Sequence, residues 1–144
     1  MNPPFQVNPI GTIHKKEEKI WLELDPRYSA GLLGIEGFSH IMVLYWFDRN
    51  DTPEGRATLQ VHPRKNPRNP LTGVFATHAP VRPNPIALTV CRVLSVDGLR
   101  LYLEEIDALD ESPLIDIKGY IPDQRNPTDI RLPQWVQHGN DQGH

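Results

Sequence analysis

The sequence has a single cysteine, no long apolar run and no excess of positive charge. Because Cys91 has no second cysteine to pair with, we expect neither an intramolecular disulfide nor a four-cysteine zinc site. The longest apolar run, at positions 41–47, is far too short to span a membrane. The chain does not open with a charged start followed by an apolar block. We therefore expect a soluble, cytoplasmic protein without a signal peptide.

Charge and motif spacing disfavour several common functions. The formal net charge is −3, which argues against a broad nucleic-acid-binding surface but leaves room for a local basic patch. The six histidines are scattered without the tight spacing of metal ligands, so we expect no metal site. The glycines at 31, 34 and 37 do not form a dinucleotide-binding motif. No sequence pattern points to a nucleotide cofactor bound in a βαβ unit.

Proline, in contrast, is abundant, with 15 residues in 144. This is about twice the usual frequency of about 5%, and it predicts many turns and short elements. The segment 19–25 alternates cleanly, with Ile20, Leu22 and Leu24 on one face, as in a half-buried strand. Asp97 and Gly98 predict a hairpin turn. In all, we predict strands at 7–14, 19–25, 39–48, 57–62, 86–96, 99–106 and 113–118.

These elements predict an all-β fold, a mainly antiparallel β-barrel-like domain with one or two short helices. The clearest helical signal is at 26–34, where a proline opens the segment and a glycine closes it. We predict that the barrel domain occupies residues 1–123 and that 124–144 form a polar C-terminal tail.

A proline-rich bend lies in the stretch "GVFATHAPVRPNPIALTV", residues 73–90. Two apolar, β-prone runs at 73–76 and 86–90 flank it. Each proline at 83 and 85 fixes its own φ and favours an extended conformation for the residue before it, Arg82 or Asn84. Such preset arginine and amide groups suit recognition of a carboxylate or phosphate. The alternative, which is equally open, is that the bend is a rigid corner in which Arg82 pairs with a structural carboxylate.

Two carboxylates and a basic loop are further candidates. Asp107 and Asp116 each lie between apolar residues, where a carboxylate is costly unless it is bonded, and structural and ligand roles are equally open. Arg64, Lys65 and Arg68 lie in a proline-broken loop that could contact phosphates, although a solvated loop is the simpler interpretation.

Three blocks of the sequence resemble the signature blocks of a known family. They are "GFSHIMVLYWF" (37–47), "GVFATHAPVRPNPIAL" (73–88) and "IDALDESPLIDIKGYIPD" (106–123). In this order they resemble the TsaA-like family of S-adenosylmethionine-dependent methyltransferases. Characterised members of that family methylate N6 of threonylcarbamoyladenosine in tRNA. His78 and Asp48 depart from its pattern, which has arginine and histidine at these positions.

The resemblance implies an antiparallel barrel, a homodimer and S-adenosylmethionine as the methyl donor. For an enzyme of this kind we expect Asp107 and Arg82 to be catalytic, with Asp107 orienting the donor. Substrate contacts would come from Arg82, Asn84, Arg64 and Lys65, with tRNA as the possible partner. The positions implied for donor binding are Asp48, Arg49, His78, Leu88, Glu104, Glu105, Ile106 and Asp107.

Two other functions remain open at this stage. The same donor pocket could serve a small-molecule acceptor, or the chain could be a dimeric module that binds the donor without turnover. Release of S-adenosylhomocysteine in the presence of tRNA separates these alternatives from the methyltransferase.

Overall fold

Six antiparallel strands close into a barrel in the computed structural model of the chain, which describes residues 2–123, 125 and 127–137. The barrel belongs to a unit formed by residues 2–48 and 86–120, and a second unit contains 49–85 and the described residues from 121 onward. Of the predicted tail, 124–144, the structure describes residues 125 and 127–137. In the part of the chain that is described, no helix is long and apolar enough to cross a membrane.

The barrel has the strand order β1-β2-β7-β6-β3-β8, and every neighbouring pair is antiparallel. This confirms the predicted fold class. The second unit has a two-stranded sheet, β4 and β5. The strands are β1 (Gly11–Lys16), β2 (Lys19–Leu24), β3 (His40–Trp46), β4 (Gln60–Val61), β5 (Thr72–Gly73), β6 (Ile86–Asp97), β7 (Arg100–Leu103) and β8 (Ser112–Gly119).

The core follows from the period of two, since alternate side chains of a strand face the barrel interior. Leu22 and Leu24 of β2 are buried, as the alternation predicts, whereas Trp21 lies on the outer face. Tyr45 of β3 is also buried, and its hydroxyl lies 3.3 Å from Thr89 Oγ1. The other core residues are Ile13, Ile41, Val43, Ala87, Cys91, Leu101, Leu103, Ile106, Ala108 and Leu114.

Short helical segments join the strands. A 3-10 helix spans Pro26–Leu32, where Asp25 accepts a hydrogen bond from the backbone N–H of Arg27, and a second covers Ile35–Gly37. The helical turns predicted at 26–34 are therefore present. Further one-turn 3-10 segments are Asp48–Asn50, Pro63–Lys65 and Val74–Ala76. The second unit has two short α-helices, α1 (Pro53–Ala57) and α2 (Gln134–Gln137).

Several predicted boundaries were wrong. β1 starts at Gly11 instead of residue 7, since Pro9 has no N–H for a strand ladder. Most of the strand predicted at 57–62 is absent, because Thr52 caps α1 and only two residues after the helix pair with β5. The β-prone run 73–76 also turns, since the N–H of Thr77 donates back to the carbonyl of Val74 at 3.0 Å.

Candidate functional site

The segment after β7 carries four of the predicted donor-binding residues. Ile106 is buried in the barrel core, whereas Glu104, Glu105 and Asp107 are exposed. The segment is not a strand, which corrects the prediction of a strand to 106 and of an embedded carboxylate at Asp107. Because Ile106 and Ala108 anchor it from inside, the carboxylates between and before them are presented on its outer side.

Lys15 holds this segment in place. Its ammonium Nζ donates to the carbonyl oxygens of Ile106 and Ala108, both at 2.7 Å, and its backbone N–H donates to Asp110 Oδ1 at 2.8 Å. Hydrogen bonds from a charged donor are stronger than neutral ones. The sequence analysis missed Lys15, because its partners lie more than 90 residues away in the chain and no local pattern links them.

Tyr45 is coupled to the same segment through charge. Burial raises the pKa of the Tyr45 phenol, the hydrogen bond with Thr89 opposes this, and the negative charge of Asp107 adds a smaller increase. The Tyr45 ring also packs edge-on against Phe47, with ring centroids 5.9 Å apart. The buried hydroxyl therefore stays protonated at neutral pH.

The remaining candidates of the first unit lie on the outer surface of the barrel. Asp48 is exposed just after β3, and Leu88 is exposed on β6, the strand paired with β3. Asp116, on β8, faces outward and accepts a hydrogen bond from the N–H of Ile117 at 2.8 Å. Asp116 is therefore on a solvated strand face instead of in an apolar setting.

In the second unit, Arg82 shapes the proline-rich bend. Its Nη1 donates to the carbonyl oxygens of Thr77 at 3.0 Å and Ala79 at 3.1 Å. Thr77 and Ala79 are buried, and the Thr77 hydroxyl joins them by donating to Val74 O and accepting from the N–H of Ala79. Arg82 thus caps two carbonyls on either side of His78. The alternative prediction, that Arg82 pairs with a structural carboxylate, does not describe these contacts.

The other candidates around the bend are accessible. His78, Asn84 and Arg49 are exposed. Arg56 of α1 donates from Nη1 to the carbonyl oxygen of Pro83 at 2.9 Å, which ties the bend to that helix. The bend is therefore fixed from two sides by arginines while His78 and Asn84 remain available to a ligand.

The basic loop divides into an engaged and an exposed residue. The guanidinium of Arg64 lies 5.5 Å from the ring centroid of Trp135, and its Nη2 donates to Val136 O at 3.2 Å. Lys65 is exposed, and both residues have the left-handed backbone conformation, with φ of 60° and 55°. Arg64 is thus used partly within its own unit, whereas Lys65 faces solvent.

The predicted residues are thus grouped by unit. The first unit presents Glu104–Asp107, Asp48 and Leu88, and the second presents Arg49 with the bend and the basic loop. Among the described residues, no three His, Cys, Asp or Glu side chains are arranged to hold a metal ion.

The comparison with protein families decides what kind of protein carries this arrangement. The model of the tRNA-methyltransferase O N-terminal domain matches residues 4–125. The chain belongs to this family. The membership confirms the resemblance carried by the three blocks, because all of them lie within the matched residues.

Similar proteins support the assignment to the tRNA-methyltransferase O (TrmO) family. A probable S-adenosyl-L-methionine-binding protein of Pyrococcus horikoshii is 44% identical over 114 residues, which are 79% of this chain and 81% of that protein. The mouse tRNA (adenine(37)-N6)-methyltransferase is 40% identical over 108 residues, 75% of this chain and 24% of the mouse protein.

The crystal structure of TrmO from Pseudomonas aeruginosa superposes with a TM-score of 0.70 at 30% identity. The match covers 94% of this chain and 63% of that one, so the chain spans less than two thirds of the length of this TrmO.

Proposed function

We propose that the chain is an S-adenosylmethionine-dependent methyltransferase that methylates N6 of threonylcarbamoyladenosine in tRNA. The observation that carries the proposal is the pinned segment after β7 within the family match, which presents three carboxylates outward. The names of the archaeal relatives support the donor, and that of the mouse relative supports the acceptor class.

The residues fit a donor of this kind. S-adenosylmethionine has a positively charged sulfonium and an ammonium group, and the carboxylates of Glu104, Glu105 and Asp107 complement positive charge. We propose that they bind the donor together with Ile106, Asp48, Arg49, His78 and Leu88. When bound, the donor supplies an electrophilic methyl group whose reactivity is intrinsic. The protein contributes alignment and exclusion of water.

We propose Asp107 and Arg82 as catalytic residues. Asp107 would orient the donor through its carboxylate, and Arg82, with Asn84, would contact the acceptor. Transfer breaks the bond between the sulfonium sulfur and the methyl group and forms a bond from that methyl group to a ureido-type nitrogen. The proton of this nitrogen passes to water, and neutral S-adenosylhomocysteine leaves. Because Arg82 already donates from Nη1 to two carbonyls, its acceptor contact would use its other N–H groups. Lys65, and Arg64 beside it, would contact tRNA phosphates.

We further propose that the chain forms a homodimer through the outer face of β3 and β6. Ile86, Leu88, Val90 and Leu94 line up along β6 and are 45–59% exposed. An exposed apolar row of this kind, with the exposed Arg92 between Val90 and Leu94, is typical of an interaction surface. The facing residues of β3 are Met42, Leu44 and Trp46.

Substitution of this face tests the dimer. Sedimentation of Val90→Glu/Leu94→Glu is expected to give a monomer, whereas Leu33→Glu, at a residue 94% exposed elsewhere in the first unit, keeps the wild-type state. A wild-type protein that sediments as a monomer would reject the dimer.

Two assignments complete the proposal. We place the protein in the cytoplasm, the compartment of its proposed tRNA substrate. We place the end of the functional domain near residue 123, with 124–144 as a tail, and the family match ends close by at 125.

Methyl transfer to tRNA is the direct test. Purified protein, labelled donor and total tRNA should release S-adenosylhomocysteine and yield a methylated threonylcarbamoyladenosine on nucleoside digestion. Donor binding by calorimetry with turnover only on small metabolites would support the small-molecule alternative. Donor binding without any turnover would support the non-catalytic module, and an absence of donor binding would reject all three.

A further inference from the structure

A groove of about 700 Å³ opens on the first unit where β1 begins and β2 ends, and it includes none of the residues assigned above. This volume lies within the range of about 300–1,000 Å³ typical of small-ligand sites. The polar and aromatic side chains that line it include Asn8, Thr12, His14, Asp25, Arg27 and Tyr28.

One wall of the groove is the imidazole of His14. Its ring stacks on Trp21 of β2, with centroids 5.1 Å apart and planes 30° apart. From the opposite side β7 adds the ring of Tyr102, 6.0 Å from Trp21, and the guanidinium of Arg100, 5.4 Å from the Trp21 centroid. The wall is therefore the end of a row of planar groups that crosses three strands, and the row holds the His14 ring in a fixed orientation.

The polar atoms of this wall are not fully satisfied within the protein. Among the described residues, His14 Nδ1 is buried without a hydrogen-bond partner, and His14 Nε2 lies 4.0 Å from Glu23 Oε1. A buried, unsatisfied nitrogen costs stability. A ligand in the groove would contact the His14 ring through its aromatic face.

At the edge of the groove, the backbones of β1 and β2 approach closely at Gly11. A Cβ at Gly11 would lie 2.2 Å from the carbonyl oxygen of Glu23 on the paired strand, so glycine is required by this close approach. Gly11 therefore lets β1 and β2 approach closely at this end of the groove.

The rim carries a cation. Arg27 donates from its backbone N–H and from Nη2 to the Asp25 carboxylate, at 3.0 and 3.4 Å, and its guanidinium lies 5.6 Å from the Tyr28 ring centroid. The Arg27 side chain is 71% exposed, so this pair contributes little to stability and a phosphate could reach the guanidinium.

We propose that this groove binds an unpaired nucleobase of the RNA substrate, with the base against His14 and a neighbouring phosphate on Arg27. Stacking on aromatic rings of a sheet surface is the usual way in which proteins bind single-stranded RNA. The carboxylates of Glu23 and Asp25 would accept hydrogen bonds from amino groups of the base. The lining has two carboxylates and one guanidinium, so affinity comes mainly from stacking. The inference rests on the proposed function for the identity of the RNA.

Binding of two labelled RNAs to the full chain tests the site. One is the hairpin of a tRNA anticodon arm, and the other is a blunt duplex with the sequence of its stem. Fluorescence anisotropy should show tighter binding of the hairpin. His14→Ala should weaken hairpin binding about tenfold, the loss expected for one stacked base. His14→Phe, which keeps a flat ring, should retain most of the wild-type affinity.

The rim has a matched control in the chain itself. Arg125 forms the same local pair with Asp123 as Arg27 forms with Asp25, including the backbone N–H bond, but lies in the second unit. Arg27→Ala should weaken hairpin binding several-fold and reduce the salt dependence by about one released ion. Arg125→Ala should change neither. Because Arg27 is exposed, its variant tests the site even if His14→Ala fails to fold.

Several results would overturn the inference. The first two are equal hairpin affinity in wild type, His14→Ala and Arg27→Ala, and equal binding of hairpin and duplex. A third is AMP binding as tight as that of the hairpin, which would indicate a free-nucleotide site. The fourth is displacement of the hairpin by S-adenosylmethionine, which would indicate the donor pocket. If these variants still methylate tRNA with unchanged KM, only the groove assignment fails. If the wild type does not methylate tRNA at all, the proposed function fails.

Discussion

The ammonium of Lys15 donates a hydrogen bond to the carbonyl oxygen of Ile106 at 2.7 Å, across 91 residues of sequence. Together with the bond to Ala108 O, this contact fixes the segment that presents the proposed donor-binding carboxylates. Lys15 lies outside the three signature blocks. By holding this segment, it would position the proposed site.

Replacing Lys15 should weaken donor binding. Lys15→Met keeps the apolar stem but removes the donor to two carbonyls, so we expect a loss of about 2 kcal/mol in the free energy of unfolding. We also expect a several-fold rise in the Kd for S-adenosylmethionine by calorimetry, because the 104–107 segment loses its fixed position. Lys16→Met, at an exposed neighbour, is the control. A stability loss with unchanged donor Kd would make Lys15 purely structural.

Substitution of Asp107 distinguishes a role in donor binding from a role in stability. Its side chain is exposed, so Asp107→Asn should change the melting temperature very little while raising the donor Kd about tenfold through loss of the charge proposed to face the sulfonium. Asp116→Asn, another exposed carboxylate of the first unit, should leave donor affinity unchanged. Equal donor affinities in both variants and the wild type would remove Asp107 from the proposed site.

Arg82 should matter more for turnover than for stability. In Arg82→Ala the carbonyls of Thr77 and Ala79 lose their donor, at a cost of about 1–2 kcal/mol in stability. The bend that presents His78 and Asn84 then loses its fixed shape, and we expect turnover to fall at least tenfold. Activity assays beside thermal melts decide the point. A large fall in melting temperature with normal turnover would leave Arg82 with a structural role alone.

The burial of the Cys91 thiol predicts that the protein loses stability at alkaline pH. Burial raises the pKa of its thiol from 9.0 to about 12. Because the unfolded chain ionises first, the folded state holds more protons between these values, and the free energy of unfolding falls as pH rises from about 9 towards 12. Thermal melts across this range should fall less steeply for Cys91→Ala than for the wild type.

The same burial makes Cys91 inert. Its residue is 2% exposed and it is the only cysteine of the chain. Iodoacetamide at neutral pH should label it only after unfolding in guanidinium, since the reactive thiolate is disfavoured and inaccessible. Rapid labelling of the folded protein would contradict the buried position on β6.

Short-range pattern was sufficient for most of the barrel. The alternation in 19–25 predicted β2 and its buried face, and Asp97-Gly98 marked the β6–β7 hairpin, because both signals depend only on neighbouring residues. The same reasoning failed at 57–62, where a strand was predicted, and the β-prone run 73–76 is mostly a turn. There, helix capping by Thr52 and a backbone turn closed by Thr77 outweighed β propensity.

By itself, the sequence determined the family, the all-β class and the residue types of the candidate site, since three ordered blocks and a period of two are properties of the chain order. Only the tertiary structure decided how these residues are used. It moved Asp107 from an apolar setting to an exposed segment, brought Lys15 to that segment, and turned Arg82 toward two carbonyls. It also stacked His14 on Trp21 at the edge of a groove. These contacts join residues through the pairing of strands and the closure of loops, which local patterns do not encode.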